Sequence, residues 1–278
     1  MSAEAAAEAL LNALQHVIGT GGEPAIAVSG GVDSMTLAVA AGRHHPDVTM
    51  FHAVSPAVPY QATTRVQHYA EREGWRLEIL NAGEFSDPAY RANPVNRCYY
   101  CKTNLYGAMA AHTPRTLWSG TNTDDLGDYR PGLQAAEEHR VRHPYVEAGI
   151  DKSGVRTIAR YLQLHDLAEL PAAPCLSSRI ETGIAIDARD LNAVNAVESA
   201  IRDTLAPRTV RCRVRAQAVV IELDQATFST IDPKTREQLA TETRAQFAVH
   251  RPNVPVRFEP YAMGSAFVHI SMPTKGAP

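Results

Sequence analysis

Six consecutive residues combine hydroxyl groups, glycines and a carboxylate in a pattern suited to holding phosphate. They are Ser29, Gly30, Gly31, Val32, Asp33 and Ser34. The glycines allow the backbone to approach a ligand closely, and N–H groups at the start of a helix favour an anion. The serine hydroxyls can donate hydrogen bonds, and the carboxylate can hold Mg²⁺ against phosphate oxygens. The segment therefore predicts a phosphate loop that binds a nucleotide.

This phosphate loop differs from the two most familiar kinds. It matches neither G-x-x-x-x-G-K-[ST] nor G-x-G-x-x-G. The apolar residues 24–28 before it suit a buried parallel strand, and Met35, Leu37 and Val39 after it suit a helix. A plain glycine turn between a strand and a helix is the structural alternative.

Polar residues also follow two other predicted strands. Ser55 follows the strand at 48–54, and residues 120–125 follow the strand at 117–119. Because the carboxyl ends of parallel strands share one edge of a sheet, we expect these residues and the phosphate loop to converge. The further candidate nucleotide-binding residues are Ser55, Gly120, Thr121, Asp124 and Arg130, and the candidate catalytic carboxylates are Asp33 and Asp125.

Two cysteines with C-x-x-C spacing stand at a predicted helix start. Cys98 and Cys101 follow a proline- and asparagine-rich loop, so both sulfurs should point the same way. The helix N-terminus and the nearby Arg97 and Lys102 should lower the thiol pKa values. In a chain with four cysteines and no recognisable export signal, we expect thiols that act as ligands or nucleophiles rather than disulfides.

Another cysteine, Cys212, lies in an arginine-rich predicted strand. Alternation puts Arg211, Arg213 and Arg215 on one face, whereas Cys212 and Val214 face the core. The sequence thus predicts a structural Cys212. The arginine row could bind a substrate phosphate through forked hydrogen bonds, and a solvated strand face is the alternative.

Strands alternating with helices predict a doubly wound α/β fold with a parallel sheet, followed by a smaller α+β domain. We place the boundary in a proline-containing linker, giving domains 1–172 and 173–278. Residues 127–148 are expected to form a loop with one short helix. The predicted strands are 24–28, 48–54, 76–80, 117–119, 209–215, 218–223, 254–258 and 266–272, and the predicted helices include 60–74, 152–162, 191–205 and 233–247.

Net charge and the character of the N-terminal segment argue against some classes of function. A net charge of −3 and a pI of about 6.4 give no general attraction to nucleic acid. Residues 1–18 predict an amphipathic helix, not a signal peptide or a transmembrane span, with Leu10, Leu11, Leu14 and Val17 at helical spacing. We expect a cytoplasmic protein without a membrane partner.

The phosphate loop resembles that of the ATP pyrophosphatase (PP-loop) superfamily, which cleaves ATP between the α and β phosphates. Four motifs together resemble the LarE family over about residues 25–272. They are S-G-G-V-D-S, N-P-V-N-R-C-Y-Y-C-K, G-T-N-T-D-D-L-G-D-Y-R-P-G-L and P-C-L-S-S-R-I. The resemblance implies an ATP-dependent sulfur transferase that makes the thiocarboxylates of the nickel-pincer nucleotide cofactor. It implies an adenylated carboxylate of a pyridinium mononucleotide, followed by sulfur delivery, in a homo-oligomer, hexameric in the family.

The resemblance also implies residue roles. The phosphate loop would hold ATP, Asp124 and Asp125 would support metal or nucleotide, and Cys175 matches the sulfur-site cysteine. Some members sacrifice the sulfur of that cysteine, whereas others add the C-x-x-C pair and bind a 4Fe-4S cluster. Three thiolates suit a cluster with one open iron better than a closed four-cysteine zinc site, although zinc or buried thiols remain alternatives. The implied metal ligands are Cys98, Cys101 and Cys175, and the implied substrate-phosphate residues are Ser178, Arg179, Arg211 and Arg213.

The chain departs from the family on the substrate side. Ala216-Gln217 replaces a histidine-rich turn, residues 260–265 read P-Y-A-M-G-S instead of G-Y-R-x-G-S, and residues 165–170 form an insert. A tRNA thiolation enzyme with the same loop is one alternative, although the sequence shows no basic tract or aromatic strip for RNA. A non-catalytic ATP-binding regulatory protein is another.

Overall fold

The computed structural model describes residues 2–127, 130–172 and 174–267. The chain forms two compact units, and each is described by itself. The first comprises the described residues of Met1–Asp87 and Asn96–Pro174, and the second those of Pro88–Val95 and Cys175–Pro278.

A parallel four-stranded sheet forms the centre of the first unit. Its strands are β1 Pro24–Ala27, β2 Thr49–Ala53, β3 Arg76–Leu80 and β4 Thr116–Trp118, in the order β3-β2-β1-β4. All three pairings are parallel. The helices of this unit are α1 Ala3–Thr20, α2 Val32–His44, α3 Tyr60–Glu73, α4 Arg97–His112, α5 Pro131–Glu138, α6 Pro144–Glu147, α7 Lys152–Tyr161 and α8 His165–Ala168.

Apolar side chains cover both faces of the sheet at its central strands, β1 and β2. Ile26 is in register with Met50 and Trp118, and all three belong to one buried cluster with residues of α1, α2 and α7. Their neighbours Ala25 and Phe51 belong to a second cluster with residues of α4 and α5. A strand buried on both sides is typical of parallel α/β sheets, so the predicted α/β class is confirmed and the arrangement is consistent with double winding.

Most of the predicted elements of this unit are present. The third strand has the predicted bounds, and α3 ends at Gly74, whose φ of 66° suits a glycine cap. In α1, the buried face contains Leu11, Leu14 and Ile18, and Leu10 packs against its edge.

The expectation for residues 127–148 is wrong in one respect. Two helices, α5 and α6, occupy this segment instead of one, and each begins with a proline. Proline lacks an N–H that the first helical turn does not use, so Pro131 and Pro144 start helices rather than interrupt them. The inserted segment at 165–170 likewise contains α8.

The second unit contains a three-stranded mixed sheet packed with helices. Its strands are β5 Val210–Val214, β6 Val219–Leu223 and β7 Val256–Pro260, and its helices are Pro88–Arg91, α9 Ala188–Leu205, α10 Gln225–Thr230 and α11 Pro233–Phe247. β6 pairs antiparallel with β5 and parallel with β7. The predicted strand 266–272 lies outside the described residues beyond Phe267.

Residues 88–95 group with the second unit, although they precede the boundary that the sequence analysis placed between residues 172 and 173. The buried side chain of Asn93 contributes to this grouping. Its Nδ2 donates to the carbonyls of Glu181 at 2.8 Å and Ile184 at 2.9 Å. These tertiary hydrogen bonds leave no local sequence pattern.

Among the described residues, no helix is both long and apolar enough to cross a lipid bilayer.

Candidate nucleotide-binding site

The phosphate loop connects β1 to α2 with an open helix start. Gly30 has a φ of 81°, and a Cβ at this position would lie 2.8 Å from the carbonyl oxygen of Ala62. Gly31 is the N-cap of α2, and within the described residues no side chain caps it. The first N–H groups of α2 therefore point out of the helix without a side-chain cap, which is the arrangement that binds anions.

Two serine hydroxyls close this loop. Ser34 Oγ accepts a hydrogen bond from the backbone N–H of Ser29 at 3.0 Å and lies 3.0 Å from Ser29 Oγ. Ser34 is buried and Ser29 is exposed. The inner hydroxyl thus shapes the loop, while the outer one can reach a ligand.

Asp33, on the first turn of α2, meets two polar side chains from elsewhere in the unit. Asn122 Nδ2 donates to Asp33 Oδ1 at 3.3 Å, and the ammonium of Lys152 pairs with Asp33 Oδ2. The side chain of Asp33 remains 26% exposed. Its carboxylate is therefore held in place but accessible to solvent.

The structure brings residues 120–125 against the phosphate loop, as predicted. A Cβ on Gly120 would lie 2.7 Å from Ser34 N. Asn122 caps the following turn: its Oδ1 accepts from Asp124 N and Asp125 Oδ2 accepts from Asn122 N, each at 3.1 Å. This close contact places two candidate loops at one edge of the sheet.

The remaining candidates of this group lie around that edge. Asp125 pairs with Arg130 at 2.9 Å, and Asp124 Oδ2 accepts from the backbone N–H of Lys152 at 3.3 Å. Ser55 follows β2, the neighbour of β1, where its Oγ accepts from Ala57 N at 3.2 Å. Asp128 and Tyr129 of the predicted motif lie outside the described residues.

Cys98 and Cys101 lie in the first turns of α4, as predicted. Cys98 is exposed and Cys101 is half-buried. All four cysteines, each within the described ranges, are thiols rather than disulfides. Neither unit, over its described residues, contains three grouped His, Cys, Asp or Glu side chains that could hold a metal. Since Cys175 belongs to the second unit, the three-thiolate site stays a prediction.

Cys175 is exposed and directly precedes a single helical turn, Leu176–Arg179. The Arg179 side chain is 2% exposed and makes a forked ion pair with Glu198 at 2.8 and 3.0 Å. Burial opposes the charge on Arg179, but the adjacent Glu198 carboxylate outweighs it and raises the guanidinium pKa. Arg179 Nη1 also donates to the Cys175 carbonyl at 3.3 Å. Arg179 therefore fixes the backbone next to the candidate sulfur cysteine.

The arginine row of β5 is not a solvated face. Arg213 is buried, where its Nε pairs with Glu222 at 3.0 Å and its Nη1 donates to the Ser178 carbonyl at 3.0 Å. Arg215 pairs with the same Glu222 at 2.9 Å. Arg211 is half-buried with its guanidinium 5.8 Å from the ring centre of Tyr261. A substrate phosphate would thus meet guanidinium groups of which two already have carboxylate partners.

Cys212 faces the core, which confirms the prediction from strand alternation. Its side chain is fully buried, and its backbone N–H donates to Glu198 Oε1 at 3.0 Å. Burial raises the pKa of this thiol well above its usual value. Cys212 is therefore a protonated structural thiol at neutral pH.

Three known proteins are similar to most of the chain. An uncharacterized protein of Synechocystis sp., slr1717, is 37% identical over 224 residues, which cover 78% of this chain and 82% of the relative. The pyridinium-3,5-bisthiocarboxylic acid mononucleotide synthase of Lactiplantibacillus plantarum is 29% identical over 209 residues, covering 72% and 74%. An uncharacterized protein of Methanocaldococcus jannaschii, MJ0830, is 25% identical over 213 residues, covering 75% and 81%.

The chain belongs to the same family as slr1717, and its similarity to the Lactiplantibacillus plantarum synthase makes it LarE-like. No protein-family model matches it.

Sequence reasoning missed several side chains at the sheet edge where the phosphate loop lies. Tyr145 is fully buried and donates to the Asp33 carbonyl at 3.1 Å. His143 Nδ1 lies 2.9 Å from Ser119 Oγ, and burial lowers the pKa of this imidazole. Lys152 pairs with Asp33 across 119 positions of sequence. Contacts between residues so distant in sequence are not marked by any local motif.

One signal could have drawn attention to Lys152. The sequence contains 27 lysines and arginines, of which only four are lysines: Lys102, Lys152, Lys234 and Lys275. A rare lysine directly after a helix-capping aspartate, Asp151, stands out in such a composition.

Proposed function

We propose that the chain is an ATP-dependent sulfur transferase of the PP-loop superfamily. It would adenylate a carboxylate of a pyridinium mononucleotide, release pyrophosphate, and then replace AMP by sulfur to give a thiocarboxylate. The observation that supports this proposal most directly is the open start of α2, where Asp33 lies beside uncapped backbone N–H groups. The printed name of the Lactiplantibacillus plantarum relative supports the substrate class.

The adenylation half is attributed to the first unit. The N–H groups of α2 and the Ser29 hydroxyl would bind the phosphates, and Asp33 and Asp125 would hold Mg²⁺. The accessible carboxylate of Asp33 fits a hard cation that prefers oxygen ligands. Mg²⁺, when bound, supplies charge neutralisation to the phosphate oxygens. Ser55, Gly120, Thr121, Asp124 and Arg130 complete the proposed nucleotide site.

The sulfur half is attributed to the cysteines. The exposure of Cys98 and Cys175 fits sulfur ligands that a substrate can reach. With Cys101 they would hold a 4Fe-4S cluster with one open iron, which supplies a bound sulfide as nucleophile. In the sacrificial alternative, Cys175 Sγ attacks the acyl carbon of the adenylate and AMP leaves with the electron pair. Loss of the Cys175 α-proton then breaks the Cβ–Sγ bond and leaves dehydroalanine.

The remaining parts of the proposal follow the family resemblance. Arg211, whose strand matches the substrate strand of the family, would contact the phosphate of the substrate. We also propose a cytoplasmic homo-oligomer.

Anaerobic purification followed by assays of iron, sulfide and pyrophosphate tests the proposal. We expect pyrophosphate release that requires both ATP and a carboxylated pyridinium mononucleotide, together with iron and sulfide in the purified protein. Release that depends on tRNA instead would indicate tRNA thiolation. ATP binding without release, for every acceptor tried, would indicate a regulatory protein.

A further inference from the structure

The phosphate loop has no cationic side chain of its own. Its six residues carry hydroxyls and one carboxylate, so a bound triphosphate would meet a negative charge at Asp33. Cationic side chains approach the loop from other elements, and Arg65 Nη1 donates to the Gly30 carbonyl at 2.8 Å. Lys152, the first residue of α7, places its ammonium against Asp33 Oδ2.

The backbone of Lys152 is fixed while its side chain is accessible. Asp124 Oδ2 accepts its backbone N–H at 3.3 Å, and Asp151 caps the same helix by accepting from Gly154 N at 2.7 Å. The side chains of Lys152 and Asp33 are 32% and 26% exposed. The backbone of Lys152 is thus fixed beside the phosphate loop, while its long side chain remains partly exposed.

A competing cation can reach this ion pair, because both of its side chains are partly exposed. Pairs open to solvent contribute little net stability, because water screens them and the side chains lose rotamer freedom. Mg²⁺ carries twice the charge of an ammonium and would displace it from Asp33. A triphosphate is in turn a stronger partner for the ammonium than a single carboxylate is.

We propose that Lys152 is a phosphate-binding residue that pairs with Asp33 until a ligand binds. When Mg²⁺ and a nucleoside triphosphate bind, Asp33 transfers from Lys152 to the cation, and the released ammonium contacts phosphate oxygens. This exchange gives each of the two side chains an oppositely charged partner before and after binding. The inference rests on the proposed function only in requiring that the site binds a nucleoside triphosphate.

Isothermal titration of α,β-methylene-ATP, which adenylating enzymes cannot cleave at the α–β position, tests the exchange. With Mg²⁺, we expect K152M to bind the analogue about tenfold or more weakly than wild type, and K152R to recover part of the loss. Lys234 is the matched control, since it is an exposed lysine near the start of α11, and K234M should bind like wild type.

Titration in EDTA separates exchange from simple charge attraction. Without Mg²⁺, D33N should bind the analogue severalfold more tightly than wild type, because Lys152 is no longer held. The double variant D33N/K152M should lose that gain. An equal gain with and without Lys152 would show mere relief of repulsion from Asp33 and would overturn the proposal.

Two other outcomes keep the inference distinct from the proposed function. If wild type binds the analogue and K152M and K152R bind it equally well, Lys152 has only a structural role and the inference is wrong. If wild type binds no nucleoside triphosphate at all, the proposed function fails as well. Circular dichroism melting of each variant shows whether the fold is retained.

Discussion

At the scale of single residues, Asp33 is held by three polar side chains of the first unit. One carboxylate oxygen accepts a hydrogen bond from Asn122, and the other forms an ion pair with Lys152. The hydroxyl of Tyr145 donates a hydrogen bond to the backbone carbonyl of Asp33. These contacts orient the carboxylate toward the open loop rather than bury it. The residue is therefore suited to a ligand-binding role more than to a stabilising one.

We expect Asp33→Ala to abolish pyrophosphate release while lowering the free energy of unfolding by at most about 1–3 kcal/mol, since the buried Asn122 amide loses an acceptor. The loss stays modest because the carboxylate and its ion pair with Lys152 are partly exposed. Asp203→Ala, at an exposed carboxylate on α9, is the control. Pyrophosphate release by Asp33→Ala at the wild-type rate would show that the carboxylate does not take part.

Arg213→Ala is expected to destabilise the protein by about 3 kcal/mol, because it leaves the buried Glu222 with one fewer cationic partner. Arg215 still contacts Glu222, which keeps the loss near the low end of the range for broken buried pairs. Urea denaturation measures the change.

Arg257→Ala, at an exposed arginine on β7, should have an effect below about 0.5 kcal/mol and is the control for that measurement. Similar losses for both variants would mean that the buried pair adds no stability.

Because Arg213 is buried and paired with Glu222, Arg211→Ala is the better test of substrate binding. It should raise the KM for the mononucleotide more than the KM for ATP.

At the scale of elements, two loops are packed too closely to admit a side chain between them. The phosphate loop and the turn after β4 meet at Gly120, where backbone lies against backbone. The sequence predicted that both loops share one sheet edge, since strand order and parallel direction follow from the alternation of strands and helices. It could not predict Lys152 or Tyr145 there, because contacts between residues so far apart in sequence leave no local pattern.

Gly120→Ala should disturb both loops. A Cβ there would lie 2.7 Å from Ser34 N and 2.8 Å from the carbonyl carbon of Asp33. We expect a loss of about 1–3 kcal/mol in unfolding free energy and a marked loss of ATP binding. Gly127→Ala is the matched control, since its φ is −79° and no atom lies within 4 Å of the added Cβ. Unchanged ATP affinity in Gly120→Ala would show that the loop tolerates the shift.

At the scale of the whole molecule, both the fold class and the position of the cysteines at a helix start were predictable. Apolar strands and capped helices are local patterns, and C-x-x-C is read directly from the sequence. The grouping of Pro88–Val95 with the second unit was not predictable, because it depends on Asn93 reaching carbonyls about 90 residues away. The buried partners of Arg179 and Arg213 were missed for the same reason.

The proposed sulfur site uses three cysteines. We expect alanine at Cys98, Cys101 or Cys175 to remove both the cluster absorbance and sulfur transfer under anaerobic conditions. Cys212→Ala should keep both, with a modest loss of stability from a small cavity. With sulfide supplied, mass spectrometry should find Cys175 unchanged after turnover. Dehydroalanine at Cys175 with a single product per chain would instead establish the sacrificial mechanism.

The division of the chain has a consequence for its synthesis on the ribosome. Residues 88–95 are translated some eighty residues before the segment that begins at Cys175, with which they pack. Until that segment emerges, the buried side chain of Asn93 lacks the carbonyls of Glu181 and Ile184. A gene fragment that starts at Cys175 would therefore lack residues 88–95, which belong to the second unit. The second unit can therefore be expressed intact only if its missing peptide is supplied, for example by joining residues 88–95 ahead of Cys175 through a flexible linker.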